Sequence, residues 1–547
     1  MKENIQLTFP AQFHHSRSKF GNCNAMAFVG QEPITYNELG EQIEALIFFL
    51  EQLGIERGDK VAILSANTPN WGIAYYAVAF MGAVVVPLLP DFSTSEIDNI
   101  LQHSEAKAIF VSRGLKHKVK GLQSSFLQSI VGIEDFSLLE CPMRDVQFEL
   151  GRTSQSDCQV EEDDLAAIIY TSGTTGNSKG VMLSHKNICF NAQRASLIHP
   201  VDERDRFLSI LPLSHTYENT LGFVLPMLKG ACIYYLQKPP TPSILLPALQ
   251  KVRPTVMFSV PLIIEKIYKG KVLPSFNKGK LIRFLYRLPL VRKRLNAIAG
   301  KKLLKTFGGE LVFFGIGGAK LNPVVEEFLI EAKFPYAIGY GLTETAPLLA
   351  GACPSKIRLQ STGPAVVDVD LKISNPDPKT GIGEIWAKGS NVMKGYYKDP
   401  EKTREVFTKD GWFKTGDLGR LDKNNFLYIE GRLKNMIVGA SGENIYPEEI
   451  ESLINNFKHV VDSLVVQKKG KLVALVHFNY EELEQHYRYL REGVEDFVDA
   501  RIDELLQELR VYINTQVNKF SQVQMVVAQS DPFQKTATQK IKRYLYM

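Results

Sequence analysis

The run Tyr170-Thr171-Ser172-Gly173-Thr174-Thr175-Gly176-Asn177-Ser178-Lys179-Gly180 decides how the rest of this chain is read. It follows Leu165-Ala166-Ala167-Ile168-Ile169, an apolar segment bounded by Asp163-Asp164, which has the pattern of a buried strand feeding a tight polar loop. Clustered hydroxyls, three glycines and one lysine make a cradle for phosphate oxygens. Small side chains let backbone N–H groups approach, and Lys179 brings positive charge. A Walker loop needs Gly before its Lys and Ser or Thr after it. Here the neighbours are Ser178 and Gly180, which disfavours a Walker nucleoside triphosphatase. Taken alone, the same residues also suit a solvated Ser/Thr/Gly turn.

A chain of 547 residues exceeds one ordinary core, so at least two domains are expected. Apolar content of 45% and charged content of 22% are those of a globular protein. The net charge of +5 is mild. Cys23, Cys141, Cys158, Cys189, Cys232 and Cys353 are scattered without zinc-ligand spacing, so a reducing compartment and no structural metal are expected. The N-terminus leads into no apolar signal region, and a cytoplasmic location is expected. Val61 to Pro90 carries no charged side chain and is long enough to raise the question of a membrane span. Asn67, Asn70, Gly82 and Pro87 interrupt it, and a helix over Trp71–Met81 with a strand over Ala83–Val86 suits a buried α/β unit better.

Working outward, Ile34 to Leu53 carries apolar residues at helical spacing behind Thr35, with Gly54 closing it. Val61-Ala62-Ile63-Leu64 and Ala108-Ile109-Phe110-Val111 read as short strands. Alternating short strands and helices predict an α/β fold of parallel or mixed sheets wrapped by helices. Beyond the loop, Val181-Met182-Leu183 reads as a strand leading to a helix, and Leu211-Pro212-Leu213-Ser214-His215-Thr216-Tyr217-Glu218 follows. A lone His such as His215 more often satisfies a core than catalyses. Val312 to Leu321 contains the turn Gly317-Gly318-Ala319 between a strand and a helix start, but its spacing fails the dinucleotide fingerprint. Next come Tyr340-Gly341-Leu342-Thr343-Glu344-Thr345, Trp412 to Gly419 with Asp417, and Gly431-Arg432-Leu433-Lys434. From there charged helices, such as Glu481 to Gln507, replace apolar strands. The basic tail Phe533 to Arg543 by itself reads as a solvated terminus.

Residues 261–307 hold thirteen cations, among them Lys266, Arg287, Arg292, Arg294 and Lys305, against Glu265 alone. Leu281, Phe284, Leu285, Leu288 and then Val291, Leu295, Ile298 predict two short amphipathic helices divided by Pro289. Such a face is either simply solvated or docks on anionic lipid, each cation contributing ~1 kcal/mol near headgroups. No nucleic-acid-binding fold accompanies it.

In this order the motifs resemble the adenylate-forming superfamily of acyl-CoA synthetases, luciferases and peptide-synthetase adenylation domains, over Thr35 to Arg543. Pro261 to Tyr268, the basic insertion and Ser441 to Pro447 are most similar to the long-chain fatty acyl-CoA synthetases. The resemblance implies a large N-terminal domain, residues 1–433, and a small mobile C-terminal α+β domain, residues 434–547, with Lys434 as hinge. It implies that ATP, Mg²⁺ and CoA are used to convert a fatty acid through acyl-AMP to acyl-CoA. It also implies the roles: Thr171, Ser172, Gly173, Thr174, Thr175, Gly176 and Lys179 hold phosphates, and His215 borders the acyl site. Gly317, Gly318, Ala319 and Tyr340 to Thr343 surround adenine, Glu344 with Thr171 holds Mg²⁺, and Asp417 accepts the ribose hydroxyls. Arg432 and Lys434 line the nucleotide site. Lys540 is the catalytic lysine, although Gln539 departs from the usual preceding Gly and keeps Lys535 and Lys542 as rivals. A carrier-protein acceptor and a non-catalytic lipid-surface protein are the alternatives, and a peripheral place at the inner membrane face goes with the basic insertion.

Overall fold

The computed structural model describes residues 5–141, 146–154, 159–171, 179–276, 284–438, 443–468, 470–481, 483, 494–536 and 540–547. Two eight-stranded sheets dominate. Sheet A runs, edge to edge, through Leu348–Gly351, Tyr336–Gly341, Phe313–Ile316, Val256–Ser259, Arg206–Ser209, Cys232–Tyr235, Asn24–Phe28 and Ile34–Thr35. Sheet B runs through Gly395–Tyr396, Lys179–Ser184, Leu165–Thr171, Val84–Leu88, Lys60–Leu64, Ala106–Val111, Ser129–Gly132 and Leu138–Glu140. Both are parallel at the centre and antiparallel at the edges. The central strands are Val/Ile-rich and buried on both faces, as covered parallel sheets require. A third, antiparallel four-stranded sheet C comprises Val369–Ser374, Gly383–Gly389, Phe413–Leu421 and Leu427–Arg432.

Helix Pro69–Phe80 settles the reading of the uncharged segment. The Thr68 hydroxyl accepts from the Trp71 amide, Pro69 occupies the first turn, and every residue from Trp71 to Phe80 is buried. A helix apolar all round belongs in a core, and this one is too short to span a bilayer. Among the described residues no helix is long and apolar enough to cross a membrane. Helix Tyr36–Gln52 begins with a capping box of Thr35 and Glu38, and Gly54 follows it at φ +79°.

The remaining strands fall later in the chain. Ile437–Val438 pairs with Asn444–Ile445, and Val460–Lys468, Lys471–Phe478 and Met525–Ala528 form a three-stranded sheet. Helices Pro447–Ile454 and Val494–Gln516 accompany them. Of the helix expected over Glu481–Gln507, residues 481, 483 and 494–507 are helical, helix Val494–Gln516 runs past its end, and residues 482 and 484–493 fall outside those described. Ile445, Ile450, Leu505, Leu509 and Val523 belong to a hydrophobic cluster separate from the one joining sheets A and B. The five described cysteines are free thiols.

Pro289 divides two helical stretches in the basic segment: residues 284–286 are helical before it, and it opens helix Pro289–Thr306, which at 18 residues is longer than the short helix expected. Leu281 and Arg283 lie outside the described residues. Arg292 is not part of a free cationic face, because it is paired with Glu327 at 2.8 Å and Glu331 at 2.7 Å on the neighbouring helix Pro323–Glu331. Nor do the apolar residues share one side: Val291 and Leu295 are half-buried, whereas Leu290 and Ile298 are 79% and 55% exposed.

Candidate active site

Strands Leu165–Thr171 and Lys179–Ser184 pair antiparallel until Thr171 stands opposite Lys179. Ser172, Gly173, Thr174, Thr175 and Gly176 lie outside the described residues. The edge strand Gly395–Tyr396 joins sheet B beside Val181, and this pairing carries Tyr396 into the site. The Lys179 ammonium lies 5.0 Å from the centroid of the Tyr396 ring. The hydroxyl of Tyr396 donates to Glu344 Oε1 at 3.0 Å, and the Met393 amide donates to the Glu344 carbonyl at 2.9 Å. Tyr396 thus ties strand Lys179–Ser184 to the turn that carries Glu344. Burial lowers the Lys179 pKa, and Lys402 and Lys434 push it the same way against Glu344.

Glu344 sits on the short turn Thr343–Thr345 that follows strand Tyr336–Gly341. A Cβ at Gly341 would lie 1.9 Å from the Pro347 carbonyl oxygen, so only glycine lets the chain turn back on itself there. Leu342 bonds to that same carbonyl through its amide at 3.1 Å. The loop Gly317-Gly318-Ala319 follows strand Phe313–Ile316, with the Gly317 amide donating to the Ser259 carbonyl at 3.1 Å and facing the Tyr217 ring.

Asp417 and Arg432 are cross-strand neighbours in sheet C. Asp417 is 4% exposed; Arg432 Nε donates to Oδ1 at 2.7 Å and the Tyr340 hydroxyl donates to Oδ2 at 2.7 Å. Burial raises the Asp417 pKa, while Arg432, Tyr340 and Lys540 pull it back. Lys540 comes from the C-terminal segment, where its amide donates to Thr536 Oγ1 at 3.2 Å. Its ammonium interacts with Arg432, Asp417 and Glu344; burial and Arg432 lower its pKa and the two carboxylates raise it. Lys535, by contrast, is paired with Asp462 at 2.7 Å. Lys434 is exposed on the turn Leu433–Asn435.

His215 Nδ1 accepts from the Tyr217 amide at 3.3 Å, which places the proton of the neutral ring on Nε2. Burial, with Lys540 adding to it, pushes His215 down to about 4. Beyond it lies an apolar cavity bounded by Tyr217, Leu221, Ile198, His199, Phe258 and Phe313. Its floor is made of Gly315, Ala337 and Gly339 on adjacent strands of sheet A.

The structure therefore brings together Thr171, Lys179, Glu344, Tyr340, Asp417, Arg432, Lys540 and His215. Sequence reasoning missed Tyr396 and the cavity wall. The pair Tyr396-Tyr397 behind Gly395 carried a signal for the first, whereas the wall is assembled from six separate segments.

A family model described as AMP-binding enzyme matches residues 13–397. The chain belongs to the AMP-binding enzymes. It is 30% identical over 483 residues to the long-chain-fatty-acid–CoA ligase FadD15 of Mycobacterium bovis, covering 82% of this AMP-binding enzyme and 78% of that protein. The long-chain-fatty-acid–CoA ligase ACSBG2 of Rattus norvegicus is 27% identical over 516 residues, covering 86% of this chain and 76% of its own. In fold, the AMP-binding enzyme is similar to the AMP complex of O-succinylbenzoate coenzyme A synthetase from Bacillus subtilis, with a TM-score of 0.77, 22% identity and coverage of 98% and 97% of the two chains.

Proposed function

We propose that this AMP-binding enzyme is a long-chain fatty acid–CoA ligase, which forms acyl-AMP from the acid and ATP and then transfers the acyl group to the thiol of CoA. The observation that carries the reading is the apolar cavity adjoining, through Tyr217 and His215, a cluster of Lys179, Glu344, Asp417 and Lys540. An apolar pocket with a polar, charged mouth suits an acid with a hydrocarbon tail. The ligases from Mycobacterium and rat support it.

A carboxylate is a poor acyl donor because oxide leaves badly. In the first step its oxygen attacks the α-phosphorus of ATP and the bond to the β-phosphate oxygen breaks, releasing pyrophosphate. Both partners are anionic, so Lys179 and Lys540 concentrate positive charge where negative charge gathers. Asp417, fixed by Arg432 and Tyr340, accepts from the ribose hydroxyls. Glu344, whose Oε1 is engaged by Tyr396, would hold Mg²⁺ through its second oxygen together with Thr171. One carboxylate with a hydroxyl suits an ion that would be held largely by substrate phosphates and would neutralise their charge. In the second step the thiol sulfur attacks the acyl carbonyl, and the bond to AMP breaks.

Lys540 and the thiol compete for space around one carbon. Residues 434–547 would therefore rotate as a lid about Lys434 between the steps, a movement that a few hinge residues absorb. The separate hydrophobic cluster of that segment supports it. An anionic membrane surface is the proposed partner of the outer face of helix Pro289–Thr306. There Leu290 and Ile298 protrude among the exposed residues Lys293, Arg294, Lys301, Lys302 and Lys305, while Arg292 holds the inner face to the protein.

The deciding experiment is mass spectrometry of products from ATP, Mg²⁺ and carboxylic acids of graded length, with and without CoA. Acyl-CoA peaking at long chains is the expected result. Acyl-AMP accumulating despite CoA would point to another acceptor, and no adenylate from any acid would refute the proposal.

A further inference from the structure

Behind the acyl cavity lies a carboxyl that the proposed chemistry does not use. Glu218 is 2% exposed and opens the π-helical turn Glu218–Val224, a register that is rare and recurs at functional sites. Tyr217, Leu221 and Leu225 on this segment face the cavity. Glu218 does not line it. Ser209, on the adjoining strand of sheet A, donates its hydroxyl to Glu218 Oε1 at 2.6 Å. Asn67 in turn donates to Ser209 Oγ at 2.9 Å and to the Leu211 carbonyl at 2.6 Å, and its Oδ1 accepts from the Leu213 amide at 2.9 Å. One chain of bonds, buried at Glu218 and half-buried at Asn67, thus fixes the segment from Ser209 to Glu218, which includes His215.

The carboxyl fits only because the residue one turn on is glycine. A Cβ at Gly222 would lie 2.7 Å from the Glu218 carboxyl carbon. Among the described residues Glu218 Oε2 has no hydrogen-bond partner. A buried carboxylate left this way would be costly, whereas a neutral carboxyl is tolerated.

We propose that Glu218 is a positioning residue for acid binding: its neutral carboxyl, seated on Gly222 and bonded to Ser209, holds the wall that carries His215, Tyr217, Leu221 and Leu225 in place against sheet A. The proposal deepens the fatty-acid reading and rests on it for the identity of the cavity. Ionisation of Glu218 places an uncompensated charge behind the wall and slackens it. Burial pushes the carboxyl up to about 8, against the Ser209 hydroxyl and the Ile210 amide. The titratable groups that face it are the Tyr217 phenol on its own segment and the Tyr235 phenol on strand Cys232–Tyr235, both raised well above 10.0 and uncharged.

The test compares wild type, E218Q and E218A with dodecanoate below its micelle limit, from pH 6.5 to 9.5, following KM for the acid and KM for ATP in parallel. The wild-type acid KM is expected to rise about tenfold across pH 8 while the ATP KM does not follow it. E218Q cannot ionise and should give a flat acid profile that departs from wild type above pH 8. E218A, which loses the bond to Ser209, should raise the acid KM at every pH. A purely structural role would instead lower melting temperature and shift both KM values together, or neither. Identical acid profiles for wild type and E218Q would overturn the proposal, and should E218A fail to fold, that comparison still decides. Calorimetric binding of dodecanoate, which needs no turnover, makes the same comparison should no ligase activity be found, so failure of the functional reading is distinguishable from failure of this one.

Discussion

Arg432 Nε reaches Asp417 Oδ1 at 2.7 Å across a strand pair in which the two residues stand directly opposite. With the Tyr340 hydroxyl on the second oxygen, the carboxylate has one fixed orientation despite its burial. Asp417→Asn should raise the ATP KM by about one to two orders of magnitude, because a hydrogen bond to a charged group is worth about 1.5–3 kcal/mol. The acid KM should change little. Steady-state kinetics with each substrate varied in turn checks this, and equal shifts in both would argue against a ribose contact.

Lys540→Ala should lower the rate of acyl-AMP formation by about a hundredfold or more, the scale on which charge-stabilising groups act. Thioester formation from supplied acyl-AMP should be largely spared. Lys535→Ala should spare both half-reactions, since that ammonium is occupied by Asp462. Pyrophosphate release and thioester formation, assayed separately, distinguish the two lysines.

Lys434 lies on an exposed turn between sheet C and the paired strands Ile437–Val438 and Asn444–Ile445. Lys434→Pro fixes φ at that point and should slow thioester formation at least tenfold while sparing adenylation. Unchanged overall turnover would remove Lys434 as the pivot.

His215 and His185 are both pushed down to about 4 by burial. A histidine depressed in this way takes up its proton more readily when unfolded. Its contribution to stability is therefore present above pH 6.5 and is lost as pH falls toward about 4, at up to about 1.4 kcal/mol per pH unit for each ring. Urea unfolding between pH 7 and 4 should show this loss, and His215→Gln should make the slope shallower.

The outer face of helix Pro289–Thr306 should bind vesicles containing anionic lipid, with affinity falling as salt screens the cations. Replacing both Leu290 and Ile298 by Glu should abolish sedimentation with the vesicles while leaving turnover of a short, freely dissolved acid unchanged. Binding indifferent to lipid charge and salt would contradict the electrostatic reading.

Local chemistry made much of this protein legible. The apolar run before Tyr170 has the pattern of a covered strand, Thr35 and Gly54 bracket a helix, and the interrupted uncharged segment is a core helix because its polar breaks suit no bilayer. Lys179, Glu344, Asp417 and Lys540 stood out through the order of the motifs that carry them and its resemblance to one family, whereas a turn Asp or a basic tail taken singly reads as structural. Only the tertiary structure decided what those residues face. The bond between Tyr396 and Glu344 joins positions 52 residues apart, and that between Tyr340 and Asp417 joins positions 77 apart. The acyl cavity draws on six segments, and the exposed face of helix Pro289–Thr306 depended on Arg292 finding Glu331 on another helix. A side chain's charge and shape are written in its identity, but its pKa and its partner depend on what packing brings against it. Glu218, an unremarked acid in the sequence, is pushed up to about 8 by burial in the core.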